Sequence, residues 1–167
     1  LEPRRTGDGS VSGARSPSDE SAGLRLYGTS FWLAYAANTT ITMVTAMMFR
    51  YSDFVASIGG GELQLGLIVG AGAVGSLAMR LVLGNSIDRY GARLVWLASL
   101  AGAAAALVLH LAIFSTHGPA VYAVRIFLIT CFAGAFGASI TNISLRAPAA
   151  RMAELIGVLG SSGFIGM

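Results

Sequence analysis

Five residues that can shape and hold a tight polar contact lie within ten positions of this sequence. They are two glycines, one carboxylate and two guanidinium groups: Gly84, Asp88, Arg89, Gly91 and Arg93. Glycine permits a positive φ and a close approach of backbones. A carboxylate beside arginines can accept charge-assisted hydrogen bonds or cap the positive end of a helix. The cluster therefore predicts a contact that forms in one packing of the surrounding elements and breaks in another.

The composition indicates what surrounds this cluster. The chain has 167 residues, of which 54% are hydrophobic and 11% charged, and its mean hydropathy is +0.70. Soluble domains have about 25% charged residues, so the sequence predicts a membrane protein. The net charge of +3 does not indicate nucleic-acid binding, because the arginines are scattered and form no basic helix face.

Four segments are long and apolar enough to cross a bilayer, which takes about 20 residues. They are residues 31–49, 65–83, 94–114 and 120–143, with an extension of the first segment to 55 left open, and a fifth segment starts near 153. The connections are short, so consecutive segments are antiparallel neighbours. The predicted fold class is an all-α integral membrane protein, a polytopic helical bundle over 29–167 with four full spans and a truncated fifth. Residues 1–28 are predicted to be a disordered cytoplasmic tail.

The positions of the arginines predict the orientation. Four arginines lie in the tail, two lie in the 84–93 cluster, and two more, Arg146 and Arg151, lie between the fourth and fifth segments. The intervening connections contain only Arg50, which two acidic residues offset. Cytoplasmic loops carry an excess of Lys and Arg, so the amino terminus and the 84–93 cluster are predicted to be cytoplasmic.

The cluster resembles motif A of the major facilitator superfamily of transporters, which reads G-x-x-x-D-R-x-G-x-R between the second and third helices. The resemblance covers residues 29–167 and includes FWLAY in the first segment and ELQLG at the start of the second. It implies that the chain is the amino-terminal portion of a twelve-helix transporter whose carboxyl-terminal half is missing here. It also implies that Asp88 meets a helix of that other half in the outward-facing form.

The match to motif A has two departures. Ala92 follows the second glycine, where family members often have a basic residue, and no acid near 141–145 is available to pair with such a residue. The resemblance therefore implies a reduced latch that rests on Asp88. The alternative is that these charges only set the topology, which explains the arginines but not Asp88 or the glycines.

Four polar residues in the first segment are spaced three, four and three apart: Tyr35, Asn38, Thr42 and Thr45. This spacing places them on one helical face, and polar groups are costly toward lipid, so the stripe is predicted to face inward. The resemblance places the first helix beside the central cavity, which implies contacts with the solute. Hydrogen bonding between helices is the equal alternative.

Arg125 is the one basic residue well inside the fourth segment. A charge there costs about 2.5–3.5 kcal/mol on insertion scales, so a partner or an aqueous cavity is expected. By resemblance, Arg125 belongs to motif B, which is linked with coupling or substrate binding, although the glycines follow only at Gly134 and Gly137. The alternative is a snorkelling arginine or a structural ion pair. His110, near the end of the third segment, is predicted to be peripheral.

The function implied is a secondary active transporter or facilitator that moves a small solute across the membrane by alternating access. The expected partners are the solute and the lipid bilayer, with a coupling ion left open, and the location is a bacterial inner or plasma membrane. An enzyme, a metal site and a cofactor are not expected, because one cysteine and two histidines are too few for a metal-ligand set. The alternative function is a non-transporting protein of the same fold, such as an assembly factor or receptor. Arg125 favours an anionic or strongly hydrogen-bonding solute.

Overall fold

The computed structural model describes residues 27–116 and 118–167, and every regular element in them is helical. The elements are α1 (Thr29–Met47), a 3₁₀ turn (Met48–Arg50), α2 (Tyr51–Ser57), α3 (Glu62–Tyr90), α4 (Ala92–His110), α5 (Pro119–Ser144), a second 3₁₀ turn (Ala149–Arg151) and α6 (Met152–Ile165). The predicted all-α class is confirmed for these residues. The predicted tail lies outside the described residues, apart from positions 27 and 28.

Within the described residues, three helices are long and apolar enough to cross a membrane: α3, α4 and α5. The predicted count of four spans plus a truncated fifth is not confirmed. The α1 helix has 19 residues but is not among the three, because its asparagine and threonines lower its hydropathy. The α6 helix has 14 residues, fewer than the roughly 20 that a full span needs.

The polar connection predicted around residues 84–93 is mostly helical. The α3 helix continues through Tyr90, and the chain changes direction at Gly91, which has φ 82 and ψ 144. The Gly91 N–H closes α3 by donating to the Ile87 carbonyl at 2.7 Å. The expected positive φ is therefore confirmed at Gly91 and wrong at Gly84, which lies inside the helix. Asn, Ser and Asp are only mildly unfavourable within a helix and Arg is favourable, so these residues did not end α3 earlier.

The centre of the bundle is α5, which packs along both α3 and α4, while α1 packs against α6. Small residues allow the close approach of α3 and α5. A Cβ atom at Gly75 would lie 2.6 Å from the Thr130 hydroxyl and 2.8 Å from the Ile126 carbonyl oxygen. The main apolar core includes buried Trp96 and Leu128. Many large apolar side chains outside this core are exposed, as expected where lipid or another protein part covers the bundle.

A second, smaller apolar cluster lies at the end of the bundle opposite Gly91. It is formed where α1 and α4 end and where α3 and α5 begin, and it contains Tyr51, Val55, Ile68, Ile113 and Val121. The short α2 helix contributes two of these residues. This cluster surrounds the site that contains Arg125.

Candidate functional site

Arg125 lies six residues after the start of α5 at Pro119, which is about 9 Å along the helix. Only 8% of its surface is exposed. The ion pairs of the described residues join Arg50 to Asp53 and Arg151 to Glu154. The partner expected for Arg125 is therefore not a carboxylate within this part of the chain.

The guanidinium of Arg125 is held by two weak partners. Its Cζ atom lies 4.3 Å from the centre of the Tyr51 ring, and Nη1 donates to the Met48 sulfur at 3.5 Å. A cation–π contact contributes about 0.5–2 kcal/mol, and a thioether is a weak acceptor. The Nε atom is buried and has no hydrogen-bond partner among the described residues. The guanidinium thus retains unused donor capacity in a place shielded from water.

Arg125 also lines a cleft of about 330 Å³ between α1, α2, α3 and α5. This volume falls within the range of about 300–1,000 Å³ that small-molecule sites occupy. The lining is mainly apolar with a few hydroxyl groups, and consists of Thr45, Met48, Phe49, Tyr51, Ser52, Leu65, Val69 and Arg125. Arg125 thus borders a cleft, and the expected aqueous cavity stays a prediction.

Tyr51 separates this cleft from a second one that reaches His110. The second cleft has a volume of about 180 Å³, and Met48 and Tyr51 line both. The rings of Tyr51 and His110 lie 6.0 Å apart with an interplanar angle of 75°. His110 Nδ1 lies 2.8 Å from the Ala106 carbonyl, so Nδ1 carries a hydrogen, and Nε2 has no partner among the described residues. His110 was predicted to be peripheral, yet it supports the ring that holds Arg125.

The polar stripe of α1 divides between two environments. Asn38 is buried, and its Nδ2 donates to Ser139 Oγ of α5 at 3.1 Å. The single hydrogen of the Ser139 hydroxyl has two acceptors within reach, Asn38 Oδ1 at 3.2 Å and the Phe136 carbonyl of its own helix at 2.9 Å. The Tyr35 hydroxyl lies 3.2 Å from a serine hydroxyl of α6. Thr42 is buried and donates to the Asn38 carbonyl within its own helix. At Tyr35 and Asn38 the structure shows the interhelical hydrogen bonds that were one of the two interpretations.

Thr45 is the stripe residue that shares the Arg125 cleft. It is exposed, and its hydroxyl donates to the Ile41 carbonyl at 2.9 Å. The hydroxyl oxygen can therefore still accept a hydrogen bond but has already used its donor. The even helical spacing of the stripe did not distinguish this residue from the other three, because the neighbouring helices cover only part of the α1 face.

The five residues of the 84–93 cluster lie together at the opposite end of the bundle, and all of them are exposed. Neither Arg89 nor Arg93 forms an ion pair with Asp88 within the described part of the chain. The Arg89 guanidinium instead lies 5.3 Å from the centre of the neighbouring Tyr90 ring. A Cβ atom added at Gly84 would meet nothing within 4 Å. The cluster is thus open to whatever packs against it, and its role as a latch stays a prediction.

At the end of the bundle that contains Gly91, Tyr27 connects the start of α1 to α6. Its hydroxyl donates to Glu154 Oε1 at 2.7 Å, and Arg151 forms two hydrogen bonds with the same carboxylate. The hydrogen bond to Glu154 is the main reason that the pKa of the exposed Tyr27 hydroxyl is raised above its usual value. Sequence reasoning missed this link, because Tyr27 lies at the edge of the predicted tail.

A family model described as Major Facilitator Superfamily matches residues 26–167. The chain belongs to the major facilitator superfamily. Neither the curated proteins nor the solved structures contain a match to it. The resemblance stated for residues 29–167 is thereby confirmed, and the chain is a multi-pass membrane protein of a transporter family.

Within this major facilitator chain, sequence reasoning singled out Arg125 but did not predict that Tyr51 and His110 pack beside it. Arg125 stands out as an isolated charge in an apolar segment, which is a strong signal. Tyr51 and His110 are amphipathic residues near segment ends, where aromatic side chains are common in membrane proteins. Only the packing of α2 and α4 against α5 brings them to the guanidinium.

Proposed function

We propose that this chain is the amino-terminal part of a secondary transporter that moves a small solute by alternating access. The observation that carries the proposal is the Arg125 cleft: a buried guanidinium with an unpartnered Nε, at a cavity of about 330 Å³. Membership of a transporter family supplies the class, and the cleft supplies a place for a solute to bind. A solute moves the protein between its states only by binding one of them more tightly than the other.

The proposed solute is anionic or a strong hydrogen-bond acceptor. A buried guanidinium whose partners are a ring face and a thioether gains most from an oxygen acceptor, because charge-assisted hydrogen bonds are roughly twice as strong as neutral ones. The acid nearest in sequence to the cleft residues, Asp53, is exposed and already paired with Arg50 at 2.9 Å. A proton-coupled mechanism would therefore take its carboxylate from a different part of the protein.

The proposed topology has a cytoplasmic amino terminus and α1 as a further span beside α3, α4 and α5, with α6 opening a fifth. The hydrogen bond that Asn38 donates to Ser139 supports this arrangement, since it pairs a buried polar group of α1 within the bundle. The arginines around Gly91, which are exposed, support a cytoplasmic position of that end. A bacterial inner or plasma membrane is the proposed location.

The proposed latch joins Asp88 to a helix of a carboxyl-terminal half. Asp88 is exposed and makes no ion pair in the described part of the chain, so its charge is available to the positive end of a docking helix. The open space at Gly84 leaves room for that helix to approach closely. The second half is a proposal that rests on the family alone.

The test is transport by the complete protein in proteoliposomes, measured as uptake of a panel of small radiolabelled organic anions. Arg125→Ala is expected to abolish uptake while membrane insertion stays intact. Arg80→Ala is the matched control, because Arg80 is an exposed arginine in the half of α3 that leads to Gly91 and away from the cleft. Its removal is expected to leave uptake within about twofold of that of the original protein. Unchanged uptake in Arg125→Ala would refute the assignment.

A second arm addresses the latch and the competing function. Asp88→Asn is expected to reduce uptake strongly, because it removes the charge and keeps the size of the side chain. Normal uptake by this variant would contradict the latch. A complete protein that binds solutes but moves none of them would instead favour a receptor or an assembly factor.

A further inference from the structure

Tyr51 occupies the central position in a stack of three side chains at the Arg125 end of the bundle. One face of its ring covers the Arg125 guanidinium, with 4.3 Å between Cζ and the ring centre. His110 packs at a steep angle against it, at 6.0 Å between ring centres. The Tyr51 side chain is 5% exposed, and His110 and Arg125 are each 8% exposed. The stack is therefore a fixed part of the bundle.

The Tyr51 contact places the Arg125 guanidinium without supplying an oxygen acceptor for it. A guanidinium carries five N–H donors, so most of them can still serve a ligand. Met48 takes one donor at 3.5 Å, and Nε has no partner among the described residues. Arg125 thus keeps donors for a fork of two parallel hydrogen bonds, the arrangement that a carboxylate matches. A single-atom acceptor or a neutral carbonyl would use this fork less well.

The rest of the cleft indicates the body of the ligand. Phe49, Leu65 and Val69 give it an apolar wall, and the exposed Ser52 adds a hydroxyl donor. Asp53 and Glu62 line a neighbouring cleft and not this one, so their charges do not occupy the place of the proposed anion. An apolar body with one charged end fits such a lining.

We propose that the cleft binds a monocarboxylate with an apolar body, and that Tyr51 is the positioning residue that holds the Arg125 guanidinium at that carboxylate. The inference deepens the proposed function and rests on it for the role of Arg125. Its own content is the ligand class and the role of Tyr51. Both are measurable as equilibrium binding, without any transport.

The experiment measures binding of radiolabelled benzoate and of its neutral counterpart benzamide to the purified complete protein. The two probes have the same shape and differ in charge at one end. Benzoate is expected to bind at least about tenfold more tightly, because only a carboxylate forms the paired charge-assisted hydrogen bonds. Equal binding of the two probes would overturn the ligand class.

The role of Tyr51 is tested with a series at that position. Tyr51→Phe keeps the ring and is expected to bind benzoate within about twofold of the original, whereas Tyr51→Leu is expected to weaken it about five- to thirtyfold. Stepwise fluorination of a phenylalanine at position 51 keeps the shape but withdraws electrons from the ring face. It is expected to weaken benzoate binding progressively and to leave benzamide binding unchanged.

The fluorinated series decides the matter even where Tyr51→Leu does not fold, because the ring size is retained. Benzoate binding that does not respond to fluorination would overturn the positioning role. A protein that shows the expected binding pattern but no flux would refute the proposed function and leave this inference standing. Flux that depends on Arg125, together with equal binding of benzoate and benzamide, would support the proposed function and overturn this inference.

Discussion

Replacing Gly91 by alanine, with Gly84→Ala as the matched control, isolates the backbone requirement of the turn between α3 and α4. The two glycines belong to one motif, and a Cβ atom would meet nothing within 4 Å at either of them. They differ in conformation, because Gly84 is helical while Gly91 has φ 82 and ψ 144. Any difference between the two variants therefore comes from the backbone and not from a collision.

The two substitutions are expected to change the free energy of unfolding in opposite directions. A non-glycine residue held in the region of Gly91 costs about 1–3 kcal/mol, and the lower entropy of the unfolded alanine chain offsets about 0.4–1 kcal/mol of this. Gly91→Ala should thus destabilise the protein by roughly 1–2 kcal/mol. Gly84→Ala should stabilise it by about 0.5–1 kcal/mol, since glycine inside a helix is unfavourable relative to alanine.

The assay is equilibrium unfolding of the purified protein in mixed micelles with an increasing fraction of sodium dodecyl sulfate. Tyrosine and tryptophan fluorescence report the loss of packing, and the two variants are compared with the original protein under identical conditions. A Gly91→Ala variant as stable as the original would refute the argument that this turn needs a positive φ. So would a Gly84→Ala variant that is the less stable of the two.

Two further pairs use the same unfolding assay. Gly75→Ala should destabilise the bundle by about 1–3 kcal/mol, because its Cβ would lie 2.8 Å from a backbone carbonyl of α5, while Gly70→Ala meets nothing within 4 Å and should be neutral or slightly stabilising. Asn38→Ala should cost about 1 kcal/mol, because it removes the hydrogen bond that Asn38 donates to Ser139 across the helix interface. Thr45→Ala should change stability little, since its hydroxyl bonds only within α1. Equal effects within either pair would contradict the packing described.

Much of the architecture was predictable from composition and hydropathy. Apolar segments of about 20 residues separated by short connections specify membrane helices, because a bilayer leaves no other partner for the backbone. The boundaries were less predictable. Helix α3 extends through residues predicted as a connection, since polarity alone does not end a helix and the first residue that does is Gly91. The span count is not confirmed at α1, where the polar residues that pair with other helices also reduce its hydropathy.

The candidate site was predictable only in part, because the sequence shows the charged residues but not what they contact. The isolated charge of Arg125 and the motif around Asp88 are local features of the sequence. The partner of each depends on packing: Asp88 has no ion-pair partner in the described chain, and Arg125 contacts a tyrosine ring instead of an acid. A cation–π contact requires only a ring in the right orientation, which leaves no recognisable spacing in the sequence.

By itself, then, the sequence determined that this protein lies in a lipid bilayer, and it determined the helical class, the family and the one charge placed deep in an apolar segment. Each of these depends on residue types within a single segment. The tertiary structure decided what that charge contacts. Tyr51 reaches Arg125 because the chain passes from α1 through a 3₁₀ turn into the short α2 helix, whose first residue, Tyr51, lies against Arg125 of α5. The surroundings of the guanidinium come from four different helices, and only their packing brings those residues into contact.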